Sequence, residues 1–571
     1  MSPQLPPVAP AVTAALVAAL SPRLRRRLDS GVAKLADRPV VRDGDVVRIA
    51  VDDDTDLELH APGGAVREAD AVRCGCLLAP DCLHRAAAAS LAPVAEETDS
   101  PAGPDDSATE EAAAQAPETA SPKQRATVRA VQLAASAVLE AGTDGAGAVL
   151  QAELLRAAHT ARLAGLHRAA ATAVSVVTAL RAARAADPAY RLTDLAAGLY
   201  DVLCVAHRLP SASGGELTAL RGTARQPYRP DGSLRLYGLF SEPVLTTSGY
   251  AGAVTWTADA EGRLYQVSDV APGGAGRATG AADRAVRIGD TALTHRELAR
   301  AGLAVSGATV SPTGRLGAGA GVRAVRAPGA GWHEEPSARL WAEPVPDQIA
   351  RALTGGPDLL FLDVTLTGTA AEAAGHCLLA DCAGVPLRLT AAHDDPALPH
   401  RDNLRLLSAA RGTRLRVVAR LSPAPHPRAE LLATEHPTRS DTRLDIGLDR
   451  LTGADLPTTA ATPPEPLPVP VSDEAPIHLL RRRVHQTVSG GRPVLALPGD
   501  TRADARRLRR SGLATAAGLL TDLHSAAADR AHDVFGRLRP TDPDRFARAW
   551  LAAAHYTTEV DRALCLAAWT S

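Results

Sequence analysis

Lysine is nearly missing: only Lys34 and Lys123 occur in 571 residues. They follow Ala33 and Pro122, so the Gly-Lys-Ser/Thr core of a phosphate-cradling P-loop cannot be assembled. A motor driven by that motif is excluded. No Gly-x-Ser-x-Gly nucleophile elbow occurs either. Aromatic residues make up 3% of the chain, so its cores must rest on Leu, Val and Ala, with helices packed closely through alanine. No run of about 18 apolar residues is present, and no membrane span is expected. The N-terminal patch PAVTAALVAAL lacks the basic leader of a signal peptide and ends at Ser21-Pro22. Seven cysteines, an odd number without an export signal, predict reduced thiols and a cytoplasmic protein.

Charge of either sign is not in excess. The formal net charge is −2 and the pI about 6.8. A dedicated nucleic-acid binder carries a basic domain or stripe, and none dominates the sequence. The short run Arg23, Arg25, Arg26 and Arg27 reads as the solvated face of a helix.

What is present divides the chain into several parts, and the expected class is multi-domain α+β. Residues 1–91 read as a small unit. In it Asp43-Gly44-Asp45 separates two Val-rich runs as a hairpin turn, Leu57 and Leu59 alternate with polar residues, and Gly63-Gly64 mark the next turn. Residues 92–122 hold no basic residue before Lys123 and many acidic ones, which predicts a disordered linker. Residues 123–210 show helical leucine spacing, and residues 211–355 turn β-rich. Residues 356–440 contain LLFLDVTLTG, HCLLADC and VPLRLTA, then NLRLLSAA, then RLRVVARL and AELLATE. That β-β-β-α-β-β order predicts an OB-like barrel. A Pro-rich linker over 441–475 leads into a last helical domain, 476–571.

The chemistry-bearing cluster is RCGCLLAPDCLHR. Three of the seven cysteines, Cys74, Cys76 and Cys82, lie within eleven positions of one another together with His84. Zinc takes four ligands in a tetrahedron from thiolate and imidazole, and Cys-Gly-Cys with Cys-Leu-His supply two close pairs. The spacing predicts one structural Zn²⁺, since four protein ligands leave no place for a reactive water. Gly75 is expected to let the first pair bend around the ion. Asp81 is expected to cap the following helix, and Arg73 and Arg85 to offset the net −1 of the filled site.

CGCLLAPDCLH, followed by apolar helical sequence, resembles the SWIM zinc finger, C-x-C-x(n)-C-x-H. The likeness covers about residues 40–91 of the chain. It implies a strand–strand–helix unit in which Cys74, Cys76, Cys82 and His84 hold zinc, with a non-catalytic role in protein contact or DNA binding. By association it implies a partner such as an AAA-type ATPase.

Other candidates carry less. Trp332-His333-Glu334 opens like a zincin helix, but Pro336 and Ser337 stand where a helix and second His are needed. GRLGAGAGVRAV follows no Val/Ile-rich strand and reads as a flexible loop. His393, Asp394, Asp395, His400 and Asp402 could ligate a metal, yet Asp-Pro marks a turn there. His376, Cys377, Cys382 and Phe361 are expected inside the barrel, which leaves it no aromatic platform for single strands. His159, His167 and His207 read as packed or surface histidines. The sequence thus predicts a non-enzymatic zinc protein acting through protein–protein contact. The alternatives are a DNA-binding accessory protein using the finger and its arginines, and an enzyme of unrecognised type within residues 211–440.

Overall fold

The computed structural model describes residues 5–52, 55–95, 118–188, 190–223, 228–246, 250–289, 291–317, 319, 321–372, 375–439, 441–457, 467–468, 475–496, 499–529, 534–535, 542 and 544–570. Of the expected linkers, residues 96–117, 458–466 and 469–474 lie outside them, but residues 441–457 are no linker: they hold a short strand, Arg443–Asp445, and bury Leu444, Ile446 and Leu451. Among the described residues the architecture is mixed α and β with three sheets. The chain separates into two compact units: residues 1–224 with 474–557, and residues 225–473 with 558–571.

The first unit opens with the helix Pro10–Ala19, followed by a short helix, Pro22–Arg25, that Ser21 caps, its hydroxyl accepting from the Leu24 amide. Strands β1 (Val40–Asp43), β2 (Val46–Asp52), β3 (Thr55–His60) and β4 (Val72–Cys74) then form an antiparallel sheet in chain order. Gly44, at φ +58°, makes the tight β1–β2 turn, a conformation that disfavours side chains. Alternation puts Val47, Ile49, Leu57, Leu59 and Val72 on one face, packed against the helices Pro10–Ala19, Leu28–Ala36 and Leu83–Leu91. Arg48, Glu58 and Arg73 share the open face, where Arg48 and Glu58 pair at 2.8 Å.

The helical part of this unit begins at Pro122–Gly145, which starts with a full capping box between Ser121 and Gln124. It packs against His478–Ala496 from far along the chain, and the Thr143 hydroxyl donates to the Val488 carbonyl at 3.0 Å. The two backbones nearly touch where each helix kinks. A Cβ on Gly142 would lie 2.3 Å from the Gly491 nitrogen, and one on Gly491 2.4 Å from the Glu140 carbonyl oxygen. Both have φ +69°, so glycine is required twice over.

In the second unit β5 (Arg229–Leu245), β6 (Tyr250–Ala258), β7 (Leu264–Pro272), β8 (Gly302–Val310) and β9 (Arg323–Ala327) make an antiparallel sheet ordered β7-β6-β5-β8-β9. The strands β10 (Leu359–Glu372), β11 (Gly375–Cys382), β12 (Val385–Ala391), β13 (Arg414–Leu421) and β14 (Arg428–Glu435) follow, with the helix His400–Leu407 between β12 and β13. Their pairings run β10-β11-β12-β14-β13 and return to β10, with the β12–β14 pair parallel. β10 bends at a register shift between Leu366 and Gly368, the residue at φ +151°. Leu360, Leu362, Val364, Val417 and Leu431 fill the ring.

Phe361 is not inside the ring. Alternation turns it to the opposite side, where it meets Trp341 edge-on at 5.1 Å between the ring and the β5–β9 sheet. Arg420 on β13 grips Glu242 on β5 with two bonds of 2.8 and 3.1 Å across the same contact. Cys382 is buried in the ring core with Leu378 and Ala380, whereas Cys377 is buried outside that core, since alternation turns it to the other face, and His376 is exposed. Among the described residues no helix is long and apolar enough to cross a membrane.

Candidate metal centre

β4 delivers the first ligand. Its register pairs Cys74 with Leu57, and Leu57 pairs with Ile49, so Cys74 falls on the buried face at the very end of the strand. The chain leaves through Gly75, whose amide donates to the Asp56 carbonyl at 3.0 Å, and turns at Cys76, whose carbonyl accepts from the Ala79 amide at 3.1 Å. It returns at Cys82, which begins the helix Leu83–Leu91, and His84 sits in the first turn of that helix. Strand end, turn and helix start therefore converge.

The sulfurs of Cys74, Cys76 and Cys82 and a His84 ring nitrogen all lie within 4.8 Å of one another. Cys74 Sγ and His84 Nδ1 are 3.6 Å apart. Zinc bonds of about 2.3 Å to sulfur and about 2.0–2.1 Å to nitrogen give a tetrahedral S···N edge of about 3.6 Å. The donor set and this edge fit one Zn²⁺, and a Cys₃His set with no fifth donor suits a structural ion. This is the one group of three or more such donors with metal-holding geometry among the described residues. His393, Asp394, Asp395, His400 and Asp402 do not converge: His393 Nε2 meets the Leu245 carbonyl at 3.1 Å, and Asp394 pairs with Arg401 at 2.8 Å.

The thiols resist ionisation together without a cation. Burial pushes the Cys74 pKa up to about 12, partly opposed by the Cys76 backbone N–H. Burial also raises Cys82, although the Arg85 amide pulls the other way. For Cys76 burial is outweighed by the amides of Leu78 and Ala79 and by its neighbouring thiols, and its pKa is lowered. A divalent cation inverts this balance, since it holds coordinating thiols deprotonated.

Three expectations for this loop are corrected. Asp81 does not cap the helix, because Cys82 occupies the N-cap position itself. Gly75 is not sterically required, because its φ is not in the left-handed region and an added Cβ would meet only the Asp56 carbonyl, at 3.8 Å. Arg85 is no diffuse counter-charge. Its guanidinium is buried and donates to the carbonyls of Val72, Pro80 and Ala69, the last at 2.6 Å. It thereby ties the start of β4, the turn before it and the metal loop together. Arg73 is exposed and reaches only the Asp70 carbonyl at 3.4 Å.

Leu77 and Leu78 escaped the sequence reading. Their side chains stand out from the loop between two ligands, 103% and 63% exposed. The signal was available: two large apolar residues sat in a turn too short to reach the core. Comparison with protein-family profiles, with curated proteins and with solved structures yields no match to this chain.

Proposed function

We propose that residues 40–91 are a zinc-held, non-catalytic docking element of SWIM type, which engages a protein partner through the Leu77–Leu78 tip. One observation carries the reading: two leucines are held in water by a loop whose two ends are metal ligands. Burying an exposed leucine is worth about 1.5–3 kcal/mol, so a pair on a rigid loop is a credible anchor. The metal fixes the loop and takes no chemical step. A reducing cytoplasm suits its thiols.

Charge favours a protein over DNA at this element. Residues 1–91 hold eleven basic and twelve acidic side chains. Of the basic ones, Arg85 is buried and Arg48 is paired with Glu58. In the second unit, the closed pairing order and the bend at Gly368 support an OB-like barrel, read here as a further docking module. Its Arg388, Arg401 and Arg416 are paired with Glu372, Asp394 and Asp363, and its aromatic residue Phe361 is buried, which argues against base stacking. The resemblance adds an AAA-type ATPase as the candidate partner.

Two measurements test this. Zinc per chain should be about one, falling to near none in Cys82→Ala. Leu77→Ser/Leu78→Ser should keep its zinc but lose the proteins that wild type captures from its own cells. An unchanged capture set, or a native protein without stoichiometric metal, would overturn the proposal.

A further inference from the structure

The helix Thr501–Arg510 lies in the first unit, away in sequence from the metal loop. It turns Thr501, Ala505 and Leu508 inward at helical spacing and presents Arg502, Arg506, Arg507, Arg509 and Arg510 to solvent. None of these five guanidinium groups has an ion-pair or hydrogen-bond partner among the described residues. The two acids of this helix end are already engaged: Asp500 caps it by accepting from the Ala503 amide at 3.0 Å, and Asp504 pairs with Arg483 at 3.3 Å. Residues 475–529 hold nine arginines against four aspartates, an excess hidden in a chain of net charge −2. A helix C-terminus is served by one or two cations through its dipole, so five call for another explanation.

Geometry adds a second positive element beside the first. The turn Ser511-Gly512-Leu513, with Gly512 at φ +78°, leads directly into the helix Ala514–Ala528. That helix has no side-chain cap at its N-terminus, and Ala514 and Thr515 there are exposed. Its positive pole therefore opens three residues beyond Arg510.

Charge density selects the partner. At about 1.5 Å per residue, Arg502 to Arg510 span about 12 Å, so five cations stand at about one per 2.4 Å. Duplex DNA carries about one phosphate charge per 1.7 Å of axis, and its major groove, about 12 Å wide, admits a helix. The deep, narrow major groove of A-form RNA does not admit side chains. A membrane-surface helix would need large apolar side chains beside its arginines, whereas here Leu508 is fully buried. We propose that the arginine face of Thr501–Arg510, with the helix start that follows it, binds the phosphate backbone of duplex DNA without reading sequence. This goes beyond the finger-mediated protein contact and does not depend on it.

The test is fluorescence anisotropy of the zinc-loaded full chain with an arbitrary 20-base-pair duplex, titrated between 50 and 200 mM salt. Five phosphates neutralised give a log–log salt slope of about −4.5, or a loss of about 500-fold across that range. Arg506→Gln/Arg509→Gln/Arg510→Gln should bind more weakly, with a slope of about −1.8 and a loss of about 12-fold. The same three changed to Lys should restore binding, which a purely structural role would not allow. Arg23→Gln/Arg25→Gln/Arg26→Gln/Arg27→Gln should bind like wild type. The proposal fails if wild type does not bind at 50 mM salt, or if the triple Gln variant keeps the wild-type slope. It also fails if the Arg23–Arg27 variant is the one that loses binding. Equal or tighter binding to polyglutamate or to anionic vesicles would reassign the face to an acidic protein or a membrane.

Discussion

Arg85→Met separates two accounts of how the metal loop is held. The substitution keeps the buried stem and removes the guanidinium with its bonds to Val72, Pro80 and Ala69. Hydrogen bonds from a charged donor are worth about 1.5–3 kcal/mol each. Water can reach part of the vacated space, because only the Val72 bond is fully buried, so the net loss should be about 3–5 kcal/mol. With the ion holding the fold as proposed, 3 kcal/mol corresponds to about two orders of magnitude in zinc affinity. The assay is competition for zinc with a chromophoric chelator, on the full chain at pH 7.5. Arg73→Met is the control, because it loses one long bond at an exposed position and should stay within about threefold of wild type. If Arg85→Met also stayed within about threefold, the clasp would have no function. If both variants dropped alike, the arginines would be acting as general counter-charge.

Gly75→Ala should retain stoichiometric zinc by elemental analysis, since nothing stands within 3.4 Å of the added methyl. Gly252→Ala is the opposite case, because its Cβ would fall 1.8 Å from the Asp269 carbonyl oxygen across the β6–β7 pair. It should lower the melting temperature of the second unit by well over 10 °C, and a wild-type melt would refute the packing described there. Burial pushes His295 and His400 down to about 4, so their contribution to stability is present above about pH 6.5 and is lost as pH falls through 4. Burial pushes Asp445 up to about 6 despite Arg300, so its contribution runs the other way and is lost as pH rises through 6. Two imidazoles outweigh one carboxyl, and urea unfolding at pH 4.5 should show a less stable second unit than at pH 7. His295→Asn should remove about 2 kcal/mol of that difference, and Asp445→Asn should enlarge it.

The convergence of Cys74, Cys76, Cys82 and His84 was legible because they form two pairs within one short stretch, where spacing alone limits what they can reach. The β10–β14 strands and the helix between them were legible from alternation and turn residues. Which strands pair was not, because the β10–β13 and parallel β12–β14 partners lie far apart in sequence. Phe361 was placed on the wrong side since a one-residue phase decides which face a strand residue takes. Arg85 was misread because its partners are backbone carbonyls five to sixteen residues away, which no side-chain pattern reveals. Asp81 was displaced from the cap by a cysteine, a residue type that sequence rules rank low at that position. The arginine helix was overlooked because whole-chain charge averages it away. Only the inward turn of Ala505 and Leu508, with both nearby acids engaged, shows how much of it remains free.

The kink-to-kink contact of Gly142 with Gly491 has a consequence for biosynthesis. The Val488 carbonyl that Thr143 requires is translated 345 residues later. At about 5–20 residues per second, the early helices wait about 17–70 s on the ribosome for their partner. The whole 225–473 segment emerges in that interval. The nascent N-terminal portion must therefore persist through that interval with the Gly142 face of its helix still uncovered.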